Sequence, residues 1–256
     1  MSRHSEPDVA RLYHVHSSNV RSRISPPGAN PSLRPFRFRT YPSSLRVPLP
    51  GRDLALPGDL AGALATRASV RAFQLRPMTI ECLGRLLFAC NGVLGTRHVD
   101  GMTAYARSTP SAGGLYPLEL YIVCQSIESL PDGIYHYDAR SHELERRRLG
   151  MFHGTLSDLT IGQEMIREAN LVIVITALFF RTMWKYGQRG YRYVWLDAGH
   201  LGQNLYLVAQ ALGLGPVAIG GFFDHEVNQL LMLPADEDSI YLICIGQPKK
   251  ASNPPA

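Results

Sequence analysis

Eight consecutive residues, Leu171-Val172-Ile173-Val174-Ile175-Thr176-Ala177-Leu178, are apolar or β-branched and lack the alternation of a strand with one wet face. Such a run predicts a central strand covered on both sides, so the chain must supply two layers of packing around it. Its continuation to Phe180 is far shorter than the roughly 18 apolar residues of a membrane span. With 256 residues, 45% of them hydrophobic, the chain can bury one large core or two small ones. The first 30 residues are polar, carry arginine and have no apolar centre, so no signal peptide is expected. A cytoplasmic protein without membrane attachment is inferred.

The other elements surround this strand irregularly. Helices are expected over 59–66, where Leu60, Ala63 and Leu64 share a face, and from a Thr79 cap through Leu83, Leu86, Leu87 and Cys90. Strands are expected over 119–124 and 133–137, joined around Pro131-Asp132-Gly133, and over 144–149. A short helix follows at 163–168. After the central strand come a polar loop at 184–190 and a long helix over 191–212, ended by Gly213 and Gly215. The last elements are a strand at 216–219, a helix capped by Asp224 and running to Leu231, and a strand at 239–245. Strands and helices do not alternate regularly, which favours an α+β fold.

Residues 1–50 read as an extended basic arm ahead of a single domain over 51–256. The arm holds eight arginines against Glu6 and Asp8, a net of +6, which leaves the rest of the chain at −1. Phe36, Phe38 and Tyr41 alternate with arginine in it, as in a segment laid along its own fold or a partner subunit. It contains no recognisable nucleic-acid motif, and no nucleic-acid partner is expected. His14 and His16 have no further ligands nearby, and the four cysteines lie in apolar runs without metal spacing, so neither a metal nor a disulfide framework is expected.

Three clusters could carry chemistry. Arg67, Ser69 and Arg71 occupy alternate positions, and in an extended segment all three face one way. Two guanidinium forks and a hydroxyl suit a phosphate monoester, although a solvated turn would use the same residues. Thr109-Pro110-Ser111-Ala112-Gly113-Gly114-Leu115-Tyr116-Pro117 sets small residues between prolines, where something flat can press on the backbone, and Gly220-Gly221 offers a second close approach. Lys185-Tyr186 pairs two proton-moving groups. Lys185 is one of only three lysines in an arginine-using chain, and an amine, unlike a guanidinium, can give up its proton. Gly213-Leu214-Gly215-Pro216-Val217-Ala218 imitates a dinucleotide fingerprint, but it leaves a helix and enters a strand, which is the wrong order. No Gly-x-Ser-x-Gly elbow is present, and His200, three residues after Asp197, reads as structural.

Taken in order, Tyr13-His14, the stretch 38–50, Arg67-x-Ser69-x-Arg71-x-Phe73, Pro110-Ser-Ala-Gly-Gly-Leu-Tyr-Pro117, Gly133-Ile-Tyr-His-Tyr137, Lys185-Tyr186-Gly-x-Arg-Gly-Tyr-Arg-Tyr193 and Gly246-Gln247-Pro248 carry a resemblance. The chain resembles the nitroreductase-like flavoproteins and, within them, the SagB-type dehydrogenases that oxidise azolines. The resemblance implies FMN, a nitroreductase-like α+β fold with a central mixed sheet flanked by helices, and a homodimer with the flavin between subunits. It implies that Arg67, Ser69 and Arg71 hold the FMN phosphate. Pro110, Ser111, Ala112, Gly113 and Gly114 would lie against the partner subunit's flavin ring, with Gly220 and Gly221 near the ring. Lys185 and Tyr186 would be the catalytic pair. The implied reaction turns a peptidyl or carrier-bound thiazoline or oxazoline into the aromatic azole. Nothing in the sequence resembles a cyclodehydratase, so a cyclodehydratase or peptide-synthetase partner would form the ring. The alternatives are an NAD(P)H-dependent nitro or flavin reductase, an FMN-dependent desaturase of another carrier-bound substrate, and a non-catalytic member of a biosynthetic complex.

Overall fold

The computed structural model describes residues 8–20, 34–99 and 102–249. The remainder of the 1–50 arm lies outside them. In chain order the elements are α1 (Val9–His16), β1 (Arg46–Pro48), α2 (Leu60–Thr66), α3 (Ile80–Asn91), β2 (Val93–Val99), β3 (Met102–Arg107), β4 (Leu118–Cys124), β5 (Gly133–Asp138), β6 (Glu143–Leu149), α4 (His153–Asp158), β7 (Leu171–Ala177), α5 (Phe180–Tyr186), α6 (Arg189–Ala211), β8 (Gly215–Ile219), α7 (Asp224–Leu231) and β9 (Asp238–Gly246). Seven strands form one sheet in the order β1-β6-β5-β4-β7-β9-β8, and β2 and β3 form a separate hairpin.

The expected α+β class holds, but the sheet is antiparallel at every pairing rather than mixed. Short connections join β4 to β5 and β5 to β6, which only antiparallel neighbours permit. β8 and β9 pair antiparallel even though α7 lies between them.

β7 is buried along its whole length, as its composition demands. Its pleat sends Leu171, Ile173 and Ile175 into one core and Val172 and Val174 into another. The first core is covered by α3, through Leu83, Leu86, Leu87 and Cys90, and by α6, through Val194, Ala198, Leu201 and Leu205. That three-and-four spacing is why a 23-residue helix stays on the sheet. Leu156, Ile166, Val227, Leu230 and Leu231 close the other face. The Thr79 side chain accepts the Cys82 N–H at 3.2 Å and starts α3, as expected. Asp224 is the first residue of α7 instead of its cap, which is Phe223.

The N-terminal residues depart from an extended arm. Val9–His16 is helical, and Arg192 on α6 holds its end by donating to Ser17 Oγ at 2.7 Å and to the His14 carbonyl. Further on, Arg39 and Tyr41 lie on the sheet, their N–H groups donating to Glu119 Oε1 (2.9 Å) and Glu145 Oε2 (3.0 Å), and β1 pairs with β6.

Candidate active site

Lys185 and Tyr186 do not sit in a loop. They form the last turn of α5, and the chain turns at Gly187, with φ +56° and ψ −144°, before α6 begins. Seven residues make too short a helix to stand out by periodicity, and its stability comes from packing. Arg181 and Thr182 bury one side of α5, while Lys185 and Tyr186 remain half-buried. The Tyr186 ring meets Tyr193 edge-on at 5.0 Å, and Lys185 Nζ is 5.3 Å from the Tyr186 ring centre.

Both head groups stand against Gly113. A Cβ placed there would lie 2.5 Å from Tyr186 Oη and 3.1 Å from Lys185 Nζ, and Gly113 has φ +63°, a conformation that suits glycine. The small-residue segment and the Lys-Tyr pair, 72 positions apart in sequence, thus share one surface. Ser111 anchors the segment by donating to Asp197 Oδ2 at 2.6 Å and accepting the Tyr116 N–H at 2.9 Å. The Ala112 N–H donates to Asp197 Oδ1 at 3.3 Å. Burial raises the Asp197 pKa, and the Ser111 hydrogen bond works against that rise. Asp197 is therefore the anchor of this segment, whereas in sequence only its spacing to His200 attracted notice. Gly114 faces open space beside a shallow cleft lined by Arg34, Phe36, Arg37, Leu115 and Trp184 among others.

Arg67, Ser69 and Arg71 lie elsewhere. Arg67 ends α2, and the Val70 N–H donates to the Pro216 carbonyl at 2.9 Å, fastening the segment to β8. Val70 packs against Gly215, while Arg67, Ser69 and Arg71 are all exposed. Neither arginine has a carboxylate partner among the described residues. Tyr206 of α6, which drew no notice in sequence, organises this end. Its hydroxyl accepts the Ala218 N–H at 2.8 Å and bonds Ser69 Oγ at 3.0 Å, and its ring lies 5.6 Å from the Arg67 guanidinium. Gly220 and Gly221 leave the other end of β8; Gly220 faces open space, and the Gly221 carbonyl accepts the Ile161 N–H at 3.1 Å. Asp197 and Tyr206 are nine residues apart on α6, about 14 Å along its axis. The two clusters therefore lie at different levels of that helix.

A third cluster was hidden in sequence because its members are charged yet buried. His136 sits between Glu119 Oε2 (3.3 Å) and Glu145 Oε2 (2.9 Å), and Arg181 reaches Glu119 Oε1 at 2.6 Å. Burial alone would lift the Glu119 pKa, but Arg181, then His136 and Arg107, hold it down at about 2. Burial would lower the His136 pKa, and the two carboxylates hold it up at about 9. Among the described residues no three His, Cys, Asp or Glu side chains form a metal-binding group, and no helix is long and apolar enough to cross a membrane.

This arrangement has relatives. Residues 64–247 match the model of the nitroreductase family, and the chain belongs to that family of oxidoreductases. A protein of Methanocaldococcus jannaschii named as a nitroreductase, MJ1384, is 36% identical over 188 residues, covering 73% of this chain and 90% of that one. The microcin B17-processing protein McbC of Escherichia coli is 30% identical over 132 residues, covering 50% of this chain and 48% of McbC. A solved structure from Anabaena variabilis, also named as a nitroreductase, superposes with a TM-score of 0.78 at 30% identity, over 93% of this chain and 46% of that one. The chain thus spans about half the length of the last two.

Proposed function

We propose that the protein is an FMN-dependent dehydrogenase that converts a thiazoline or oxazoline in a peptide, or on a carrier, to the aromatic azole. The observation that carries this reading is the convergence of Lys185 Nζ and Tyr186 Oη on Gly113, within a segment that Asp197 holds rigid. Likeness to a peptide-processing protein supports a peptide substrate.

The residues present fit the cofactor. Arg67 and Arg71 are exposed, lack carboxylate partners among the described residues and flank a hydroxyl, the donor set a phosphate monoester requires. Gly114 and Gly220 face space that side chains would fill. Arg67, Ser69 and Arg71 would hold the phosphate, and the segment from Pro110 to Gly114 would press on the ring, with Gly220 and Gly221 as a further backbone approach. In keeping with the resemblance, the reading takes a homodimer in which each subunit's Pro110–Gly114 segment serves the other's flavin.

The azoline α-carbon, acidified by the neighbouring imine and carbonyl, loses a proton, and the adjacent ring carbon loses a hydride. When bound, FMN supplies the acceptor for that hydride. Lys185 and Tyr186 act as a pair, one taking the proton at Nζ or Oη and the other holding the substrate. A cyclodehydratase or peptide synthetase would supply the azoline.

Lys185→Ala and Tyr186→Phe should each abolish the two-hydrogen loss seen by mass spectrometry on an azoline peptide while the protein stays yellow. Full activity in both variants would refute the assignment. Likeness to MJ1384, named as a nitroreductase, and over 55 residues to an NADPH-flavin oxidoreductase of Vibrio harveyi supports one other reading, a reductase that draws electrons from NAD(P)H. Rapid anaerobic bleaching of the flavin by NAD(P)H would support it.

A further inference from the structure

Arg181 occupies a position that the reading above does not use. It lies in the first turn of α5, is 2% exposed, and its Nη1 forms an ion pair with Glu119 Oε1 on β4, at 2.6 Å, and donates to the Tyr116 carbonyl, at 3.1 Å. Tyr116 ends the small-residue turn in a left-handed conformation, φ +49°, which a non-glycine residue keeps only when its surroundings impose it. Its polar groups are all engaged: the N–H with Ser111 Oγ, the hydroxyl with the Arg107 N–H, and the carbonyl with Arg181. The turn is thus held at its start by Asp197 of α6 and at its end by Arg181 of α5. The Leu178 N–H adds a bond to the Pro117 carbonyl at 2.9 Å, where the two segments run side by side.

Arg181 and Lys185 are four residues apart on one helix, so they lie on the same face one turn from each other. One guanidinium therefore ties together the sheet, the turn carrying Gly113 and the helix ending in the two groups that meet Gly113. We infer that Arg181, anchored by Glu119, is the positioning residue that sets Lys185 and Tyr186 against the Gly113 turn. The inference rests on the catalytic reading of Lys185 and Tyr186 but concerns their placement. If α5 slid or rotated on the sheet, both head groups would leave Gly113 together, while Arg67, Ser69 and Arg71, at the other end of α6, would be unaffected.

The test compares Arg181→Gln with Lys185→Ala, both in the full chain. For Arg181→Gln the expected result is a fall in kcat of about 100-fold, the scale of a 1 Å misplacement, with KM and retained flavin unchanged. Arg181→Lys, which keeps a charge for Glu119 and a donor for the carbonyl, should recover much of the loss. A second readout needs no turnover. Because Lys185, Lys249 and Lys250 are the only lysines, acylation of flavin-free protein, followed by peptide mass spectrometry, reports Lys185 reactivity against Lys249 as an internal reference. That ratio should rise in Arg181→Gln. If Arg181→Gln does not fold, Glu119→Gln carries the same measurements. An unchanged ratio, or an unchanged kcat beside an inactive Lys185→Ala, would overturn the inference, as would a loss of kcat only in step with lost flavin and lowered Tm. An active Lys185→Ala would instead refute the catalytic reading, and the labelling ratio would still decide the role of Arg181.

Discussion

The Tyr186 hydroxyl stands so close to Gly113 that a methyl group there would come within 2.5 Å of Oη. Gly113→Ala should therefore displace Tyr186 and force alanine into a left-handed conformation. The backbone term is about 1–3 kcal/mol. Turnover should fall by about 100-fold, as for a misplacement of about 1 Å, and this should exceed what the lowered Tm explains. Steady-state kinetics beside thermal melts check it, and unchanged kcat would show that the contact has no catalytic use.

The bond from Ser111 to Asp197 is a second point of leverage. Ser111→Ala leaves a carboxylate that is 4% exposed with only the Ala112 N–H, and an unsatisfied buried acceptor costs about 1–3 kcal/mol. A double-mutant cycle with Asp197→Ala, read by denaturant unfolding, should give a coupling of about 1.5–3 kcal/mol, as for a charged hydrogen bond. Coupling near zero would mean that the pair does not hold the segment.

At the other end of α6, Arg67→Ala and Arg71→Ala should weaken FMN by about 10- to 100-fold each, the scale of one charge-assisted hydrogen bond of about 1.5–3 kcal/mol. Riboflavin, which has no phosphate, should bind the variants and the parent alike. Equal weakening of both ligands, measured by flavin fluorescence quenching, would move the phosphate elsewhere.

Stability should depend on pH through His136, which faces Glu119, Glu145, Tyr41 and Tyr121. Its pKa, held up at about 9, exceeds the ordinary value of about 6.5. The stabilisation is thus complete below about 6.5 and is lost as the pH rises through about 9. Glu119, held down at about 2, works in the opposite sense and loses its contribution as the pH falls from about 4.3 towards 2. His136→Gln should flatten the alkaline limb of Tm against pH and reduce the acid limb without removing it, because Arg181 still holds Glu119 down. An unchanged alkaline limb would assign that loss to other groups.

Much of the architecture was legible in local pattern. Uninterrupted β-branched residues mark β7, and the Thr79 cap and helical spacing mark α3. The hairpin of β2 and β3 was missed, although Asp100-Gly101 separates the paired Val99 and Met102, a strong hairpin signal. Strand direction depends on partners distant in sequence, and the mixed sheet that the resemblance implied is antiparallel at every pair. The site followed the same division. Arginines, small residues and the Lys-Tyr pair stand out by composition, whereas Asp197, Tyr206 and Arg181 do not, because a polar residue on a helix reads as solvated until its partner is known. Glu119 pairs with both His136 and Arg181, and only the fold brings β4, β5 and α5 together.

The most direct measurement mixes the FMN-loaded protein anaerobically with a thiazoline-bearing peptide and follows flavin absorbance together with peptide mass. The account requires the yellow absorbance to bleach as the peptide loses two hydrogens, and Lys185→Ala to remain yellow with the peptide unchanged. Bleaching by NAD(P)H with no response to azoline peptides would contradict it.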